Sequence, residues 1–166
     1  AFGTNSSQEV WGGARPYLVN VDSPYDKDYA SNWQNTRVYY ASEVAARAQE
    51  RLGVDLYAYN SDPNTWFGDI VKNSSGYVTS MRLGTATISG RYLRENVLNN
   101  VNGKTLRSAA FDIVYDAGAD AFSITTYGYG HGCGMSQMGA WGYAANGWGY
   151  ADILAHYYPG TTLVTQ

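Results

Sequence analysis

One cysteine among 166 residues excludes an internal disulfide, and two histidines leave too few ligands for a zinc site unless carboxylates join them. No apolar run approaches the ~20 residues that a bilayer-spanning helix needs. Positive charge is also scarce. Eleven Lys and Arg stand against 14 Asp and Glu, for a net charge of -3, and the basic residues are scattered. That excludes a general nucleic-acid binder, whose affinity needs clustered cations. The glutamates are few as well: Glu9, Glu43, Glu50 and Glu95. The chain opens without an initiator methionine or a signal-peptide pattern, so either something has been removed or this is a fragment. Tyrosine, by contrast, is abundant, with 16 residues alongside five tryptophans. Such flat amphipathic rings suit packing, protein interfaces or the faces of sugar rings.

The pattern predicts one α+β domain over residues 1–166. It combines short antiparallel strands and hairpins, with a small barrel-like sheet as one closure, and three or four short helices. Residues 1–36 read as loop and short extended pieces. "YASEVAARAQERLG" reads as a helix capped by Ser42, with Glu43 and Glu50 on its solvated side and Gly53 at its end. Hairpins are expected around "NSSG" and near Gly118, and a short helix capped by Ser89. Near the C-terminus, Ala140 and Ala144 fall in helical register for close packing. A last helix ends at Pro159 and Gly160.

The stretch "YGYGHGCGMSQMGA" departs from ordinary core or loop. A glycine at every second position from Gly128 to Gly134 implies positive φ angles or a close approach to the backbone. Cys133 and His131 share one side of an extended segment, a spacing open to thiol chemistry, although a lone cysteine more often packs as a small apolar group. "GMSQMG" lacks the glycine at Met138 that a nucleophile elbow requires, and "NGKT" at 102–105 lacks the glycine at Leu98 that a phosphate loop requires. His156 reads as a packed helix-end histidine. Glu9, beside Val10 and Trp11, is either a surface carboxylate or one whose pKa a neighbouring ring raises.

From Gly128 to Leu163 the chain resembles the C-terminal signature of the stage II sporulation protein D / amidase-enhancer family. The shared features are a Gly-His-Gly-x-Gly-Met-Ser-Gln core, then Gly-Ala, a spaced Ala…Gly…Tyr and Ile-Leu-x-His-Tyr-Tyr-x-Gly. "TNSSQEVWGGARPYLVNVDSP", "ISGRYLRENV" and "LRSAAFDI" are similar to its upstream segments. The resemblance implies lytic transglycosylase work on peptidoglycan strands stripped of stem peptides. The MurNAc–GlcNAc bond is cleaved without water as the muramic C6 hydroxyl closes on C1, leaving 1,6-anhydro-MurNAc ends. One glutamate acting first as acid and then as base suffices for this chemistry.

The family's acid lies in a Val-x-x-Glu-Met segment that these residues lack, and the resemblance does not transfer that role to Glu43. It therefore implies a C-terminal portion of a larger domain, supplying the substrate groove without the acid. Substrate-binding places fall to His131, Ser136, Gln137, Tyr129 and Thr4, with Tyr127 and Trp141 as further stacking candidates. No cofactor is expected here, since the residues that hold zinc in some relatives would lie upstream. Glycan strands are the implied partner, with an amidase or other sporulation protein as another, in an extracytoplasmic, cell-envelope or secreted setting. The alternative is a non-catalytic wall-binding or amidase-enhancer module.

Overall fold

The computed structural model describes residues 2–164. Two short helices, α1 (Ser7–Trp11) and α2 (Asp26–Tyr29), interrupt the stretch that reads as loop. Ser6 and Glu9 start α1 by reciprocal capping, and Gly12 ends it in the left-handed region at φ 75°. Strand β1 (Gln34–Tyr40) follows. Hydrophobic alternation does not reveal it, because Asn35 and Arg37 alternate with the exposed Thr36 and Val38, and only Tyr39 is an apolar buried residue.

Helix α3 (Ala41–Leu52) begins after Tyr40, so Ser42 lies inside it and does not cap it. The Glu43 carboxylate instead accepts the Tyr40 N–H at 2.9 Å and the Lys104 Nζ at 2.7 Å, and also takes the Asn102 amide. Glu43 is therefore tied into a turn and not solvated, a correction to the sequence reading. Lys104, the lysine of "NGKT", is spent on this pair and on the Val38 carbonyl. Desolvation raises the Glu43 pKa, but the Lys104, Tyr40 and Asn102 hydrogen bonds and the Lys104 charge outweigh it, and the net shift is downward.

Helix α4 (Leu56–Tyr59) leads into β2 (Phe67–Lys72), which pairs with β3 (Val78–Leu83) around the expected NSSG turn. β3 pairs in turn with β4 (Ala86–Ile88). Ser89 then caps α5 (Gly90–Tyr92) by accepting the Tyr92 N–H at 3.0 Å, and a π-turn over Leu93–Val97 continues it. The second hairpin is β5 (Phe111–Asp116) with β6 (Ala121–Tyr127). The two sheets run β1-β6-β5 and β2-β3-β4, all antiparallel. This is the α+β class. The barrel-like closure does not form, because pairing stops at β1 and β5 in one sheet and at β2 and β4 in the other, whereas a barrel needs an unbroken ring of paired strands.

Both sheets press apolar faces onto one core. Tyr39, Phe111, Phe122 and Ile124 come from the first sheet, and Val78, Met81 and Leu83 from the second. Val44 and Ala48 of α3 and Leu93, Leu98 and Leu106 fill the space between. Fully buried Trp66 satisfies its Nε1–H at the Asn60 carbonyl, 2.8 Å away.

A second, smaller cluster joins α6 (Gln137–Ala145) and α7 (Tyr150–Tyr157) to Val21 and Tyr25 through Tyr143, Ile153 and Tyr157. The closest approach uses Gly139 and Gly142; of the two expected alanines, Ala140 packs half-buried against the cluster and Ala144 does not. A Cβ on Gly142 would lie 2.2 Å from the Tyr25 Cβ, whereas Ala144 is exposed. His156 packs as expected, its ring against Tyr143 and its Nε2 2.7 Å from the Asp22 carbonyl.

Candidate functional site

The run from Gly128 to Gly134 is not helix or regular strand. Gly128, Gly130, Gly132 and Gly134 take φ values of 76°, 91°, 73° and 83°, a region that costs other residues roughly 1–2 kcal/mol each. That explains the alternate glycines. Backbone contacts stitch the run to three distant places: Gly128 N–H to the Trp33 carbonyl (2.7 Å), Gly130 N–H to the Arg107 carbonyl (2.9 Å) and Asn5 N–H to the Gly132 carbonyl (2.8 Å). A Cβ on Gly128 or Gly130 would meet no atom within 4 Å, so those backbones border open space. At Gly132 the second reason holds too, because a Cβ would stand 2.0 Å from the Tyr77 hydroxyl.

The segment lines a cleft of about 580 Å³, shared with Thr4, Asp26, Asn32, Trp33, Tyr77 and Arg107. Its size falls within the range of small-ligand sites. All five residues expected to bind substrate line it, with different freedom. Tyr129 is 84% exposed, and His131 and Gln137 are also exposed. Ser136 caps α6: its hydroxyl accepts the Gly139 N–H at 3.1 Å and donates to Asp26 Oδ1 at 2.6 Å. Its proton is therefore taken. Thr4, the fifth, is buried, donating to the Val19 carbonyl and accepting the Val21 N–H. Of the stacking candidates, Tyr127 packs on Trp33 with ring centroids 5.1 Å apart and donates its hydroxyl to Asp112. Trp141 sits on α6 against Tyr29 and is not part of the cleft wall.

His131 is held from three sides. Its carbonyl accepts the Asn5 amide at 2.8 Å, its Nδ1 accepts the Cys133 N–H at 2.9 Å, and its ring lies 5.2 Å from the Trp11 ring. With Nδ1 accepting, the neutral ring carries its proton on Nε2. The adjoining Glu9 differs from the raised-pKa alternative. Burial does push its pKa up, but hydrogen bonds from Asn73, the Ser6 backbone, Asn20 and the Ser6 hydroxyl outweigh this and hold the carboxyl below the ordinary glutamate value. A depressed folded-state pKa contributes stability that is present above the unfolded value and lost as pH falls through the folded one. Urea midpoints of wild type and Glu9→Gln should thus differ near about pH 6 and converge toward about pH 3. A gap that stays constant across that range would contradict the role of Glu9 as a charged tie.

Sequence comparison adds a second line of observation. Over 160 residues, 96% of this chain, it is 34% identical to stage II sporulation protein D of Bacillus subtilis and, equally, to that of Bacillus amyloliquefaciens. Over 95 residues, 57% of this chain, it is 35% identical to the amidase enhancer of Bacillus subtilis, covering 13% of that protein. These matches agree with the resemblance to the stage II sporulation protein D / amidase-enhancer family. The chain spans 41% of the length of the two sporulation proteins. No family model matches.

The cleft offers little support for thiol or hydroxyl nucleophiles. Burial pushes the Cys133 thiol up and outweighs the lowering by the Gly134 N–H, with the Glu9 charge adding a smaller upward push, so thiolate is scarce at neutral pH. Asp26, the one carboxylate in the cleft wall, accepts from both Ser23 (3.0 Å) and Ser136 (2.6 Å). Among the described residues no three His, Cys, Asp or Glu side chains gather as a metal site. The wall is instead rich in donors and aromatic surface, which suits holding a hydroxylated ligand. Sequence reasoning passed over Arg107, Asn32 and Trp33, which arrive from distant loops. Only Arg107 left a trace, as a cation with no acidic residue within four positions on either side.

Proposed function

We propose that the cleft holds a peptidoglycan glycan strand, and that this chain supplies the saccharide-holding wall of a lytic transglycosylase whose acid lies outside these 166 residues. The observation carrying this reading is the bare backbone from Gly128 to Gly134 bordering an open, donor-lined cleft. Without side chains at Gly128 and Gly130, a pyranose ring can lie against the peptide plane. Tyr129 offers an aromatic face, and the His131 Nε2–H and the Gln137 amide offer hydrogen bonds to hydroxyl and acetamido groups. Fixing the ring next to an incoming acid lowers the entropic part of the barrier to protonating the glycosidic oxygen. The reading places the protein at the cell envelope. Among the described residues no helix is long and apolar enough to cross a membrane.

A binding module that never cleaves is the second reading, favoured by Trp141 and Tyr150 on α6 and α7, which stand 59% and 68% exposed as partner anchors do. One experiment separates the two. The chain and the full-length protein are each incubated with purified glycan strands freed of stem peptides, and the products are read by mass spectrometry. On the transglycosylase reading, the chain binds the strands but makes no anhydro-muramic ends, while the full-length protein makes them. Binding with no such ends from the full-length protein would leave the module, and its effect on an amidase digesting cell walls becomes the decisive assay.

A further inference from the structure

Among the described residues Asp26 is the only carboxylate lining the cleft, and the fold grips it by one oxygen. Its Oδ1 accepts the Ser136 hydroxyl at 2.6 Å and the Ser23 hydroxyl at 3.0 Å. Fully buried Tyr157 stands behind them, its hydroxyl 2.6 Å from that of Ser23. Because the Ser23 proton goes to Asp26, Tyr157 is the donor in that bond. Oδ2, by contrast, has no hydrogen-bond or salt-bridge partner among the described residues, and it is not one of the buried unpaired polar atoms. A carboxylate held still through one oxygen thus keeps the other for whatever occupies the cleft.

The other ionisable groups of the wall have no place for a proton. His131 accepts the Cys133 N–H at Nδ1 and carries its proton on Nε2. Burial pushes the Cys133 thiol up, and phenols such as Tyr129 keep their protons at neutral pH. Burial also raises the Tyr77 hydroxyl, and the Asp26 charge adds to that. Arg107 is a cation. A muramic residue inside a strand has in turn few donors to offer. Its O1 and O4 lie in glycosidic bonds and its O3 in the lactyl ether, which leaves the C6 hydroxyl and the acetamido N–H. Of the two, the hydroxyl makes the shorter bond to a carboxylate.

We propose that Asp26 Oδ2 holds the muramic C6 hydroxyl and takes its proton as the anhydro ring closes. This rests on the transglycosylase reading and separates two tasks that a single glutamate would otherwise share. O6 bonds to C1 and gives its proton to Asp26. The bond from C1 to the glycosidic oxygen breaks, and that oxygen takes a proton from the acid outside these residues. Asp26 then releases a proton to solvent and the acid regains one, so no water is consumed. A carboxylate oriented beforehand needs no rearrangement when the bond forms.

The test has a binding arm and a turnover arm. By isothermal titration the chain is given the methyl glycoside of GlcNAc-MurNAc and its counterpart lacking the muramic C6 hydroxyl. Wild type should bind the first about tenfold more tightly, the scale of one hydrogen bond to a charged group. Asp26→Asn keeps an oxygen for the two serines but sets an NH2 where Oδ2 stood, so it should bind both compounds alike, with circular dichroism confirming its fold. A merely structural role would weaken both compounds and leave the tenfold ratio. In the full-length protein Asp26→Asn should lower kcat for anhydro-muramic ends by about 100-fold, the scale of a lost general base, and raise KM far less. Equal wild-type affinities, a ratio that survives in folded Asp26→Asn, or a kcat near the wild-type value overturns the role of Asp26 while leaving the cleft reading intact. Wild-type full-length protein that makes no anhydro ends overturns the transglycosylase reading instead, and the proton-taking role with it.

Discussion

Gly132→Ala should lose saccharide binding and melt about 5–15 °C below the wild type. Two costs combine at this position. The φ of 73° penalises any Cβ by roughly 1–2 kcal/mol. The new methyl would also stand 2.0 Å from the Tyr77 hydroxyl and 2.4 Å from its Cζ. Tyr77 is buried and packs with Ala109, Ala110 and Tyr127, so its ring cannot retreat freely, and overpacking of this kind costs about 1–3 kcal/mol. The sum, about 2–5 kcal/mol, converts to a loss of several degrees or more in a chain of this size. Gly130→Ala is the control. Its φ of 91° carries the backbone cost, but its Cβ would meet nothing within 4 Å. Calorimetry should find it less destabilised than Gly132→Ala, and equal losses would mean that contact with Tyr77 does not shape the wall.

Gly139→Ala should loosen the α6–α7 unit while leaving the sheets folded. The added Cβ would fall 2.1 Å from both the Ser23 and the Tyr157 hydroxyls and 2.8 Å from Asp26 Oδ1. Those three groups form one knot: Ser23 and Tyr157 share a hydrogen bond of 2.6 Å, and both Ser23 and Ser136 donate to Asp26. Opening it leaves buried polar atoms without partners, at about 1–3 kcal/mol each. Hydrogen exchange should show residues 137–157 losing protection while β1, β5 and β6 keep theirs. Because Ser136 links this knot to the cleft, saccharide affinity should fall as well. Full protection in α6 and α7 of the variant would show that the helices are held by other contacts.

These two glycines show what was legible in the chain and what was not. The glycine spacing from Gly128 announced unusual backbone angles, and four consecutive alternate residues have them. The hairpins were legible because alternation and turn residues are local signals. Strand β1 was not, since its alternate residues include Asn35 and Arg37, whose burial depends on pairing with β6 some 90 positions later in the chain. The alanines of α6 were marked for close packing because small residues at helical spacing look alike, but which face is covered depends on where α2 docks. The same limit hid the cleft's other wall. Trp33 and Arg107 join the glycine run only through backbone bonds between distant loops. The resemblance to the sporulation family pointed to the run itself and not to the residues facing it. Ser136 and Thr4 matched their motifs in sequence, and in the fold both hydroxyl protons are taken by neighbours.

The measurement that tests the account most directly is an NMR titration of the chain, labelled at backbone amides, with purified glycan tetrasaccharide. If a sugar rests against the bare backbone, shift changes should concentrate on Gly128–Gln137 and reach Asn32 and Arg107, with β2–β4 unmoved. Saturable binding whose shifts fall on another face, such as that of Trp141 and Tyr150, would contradict it.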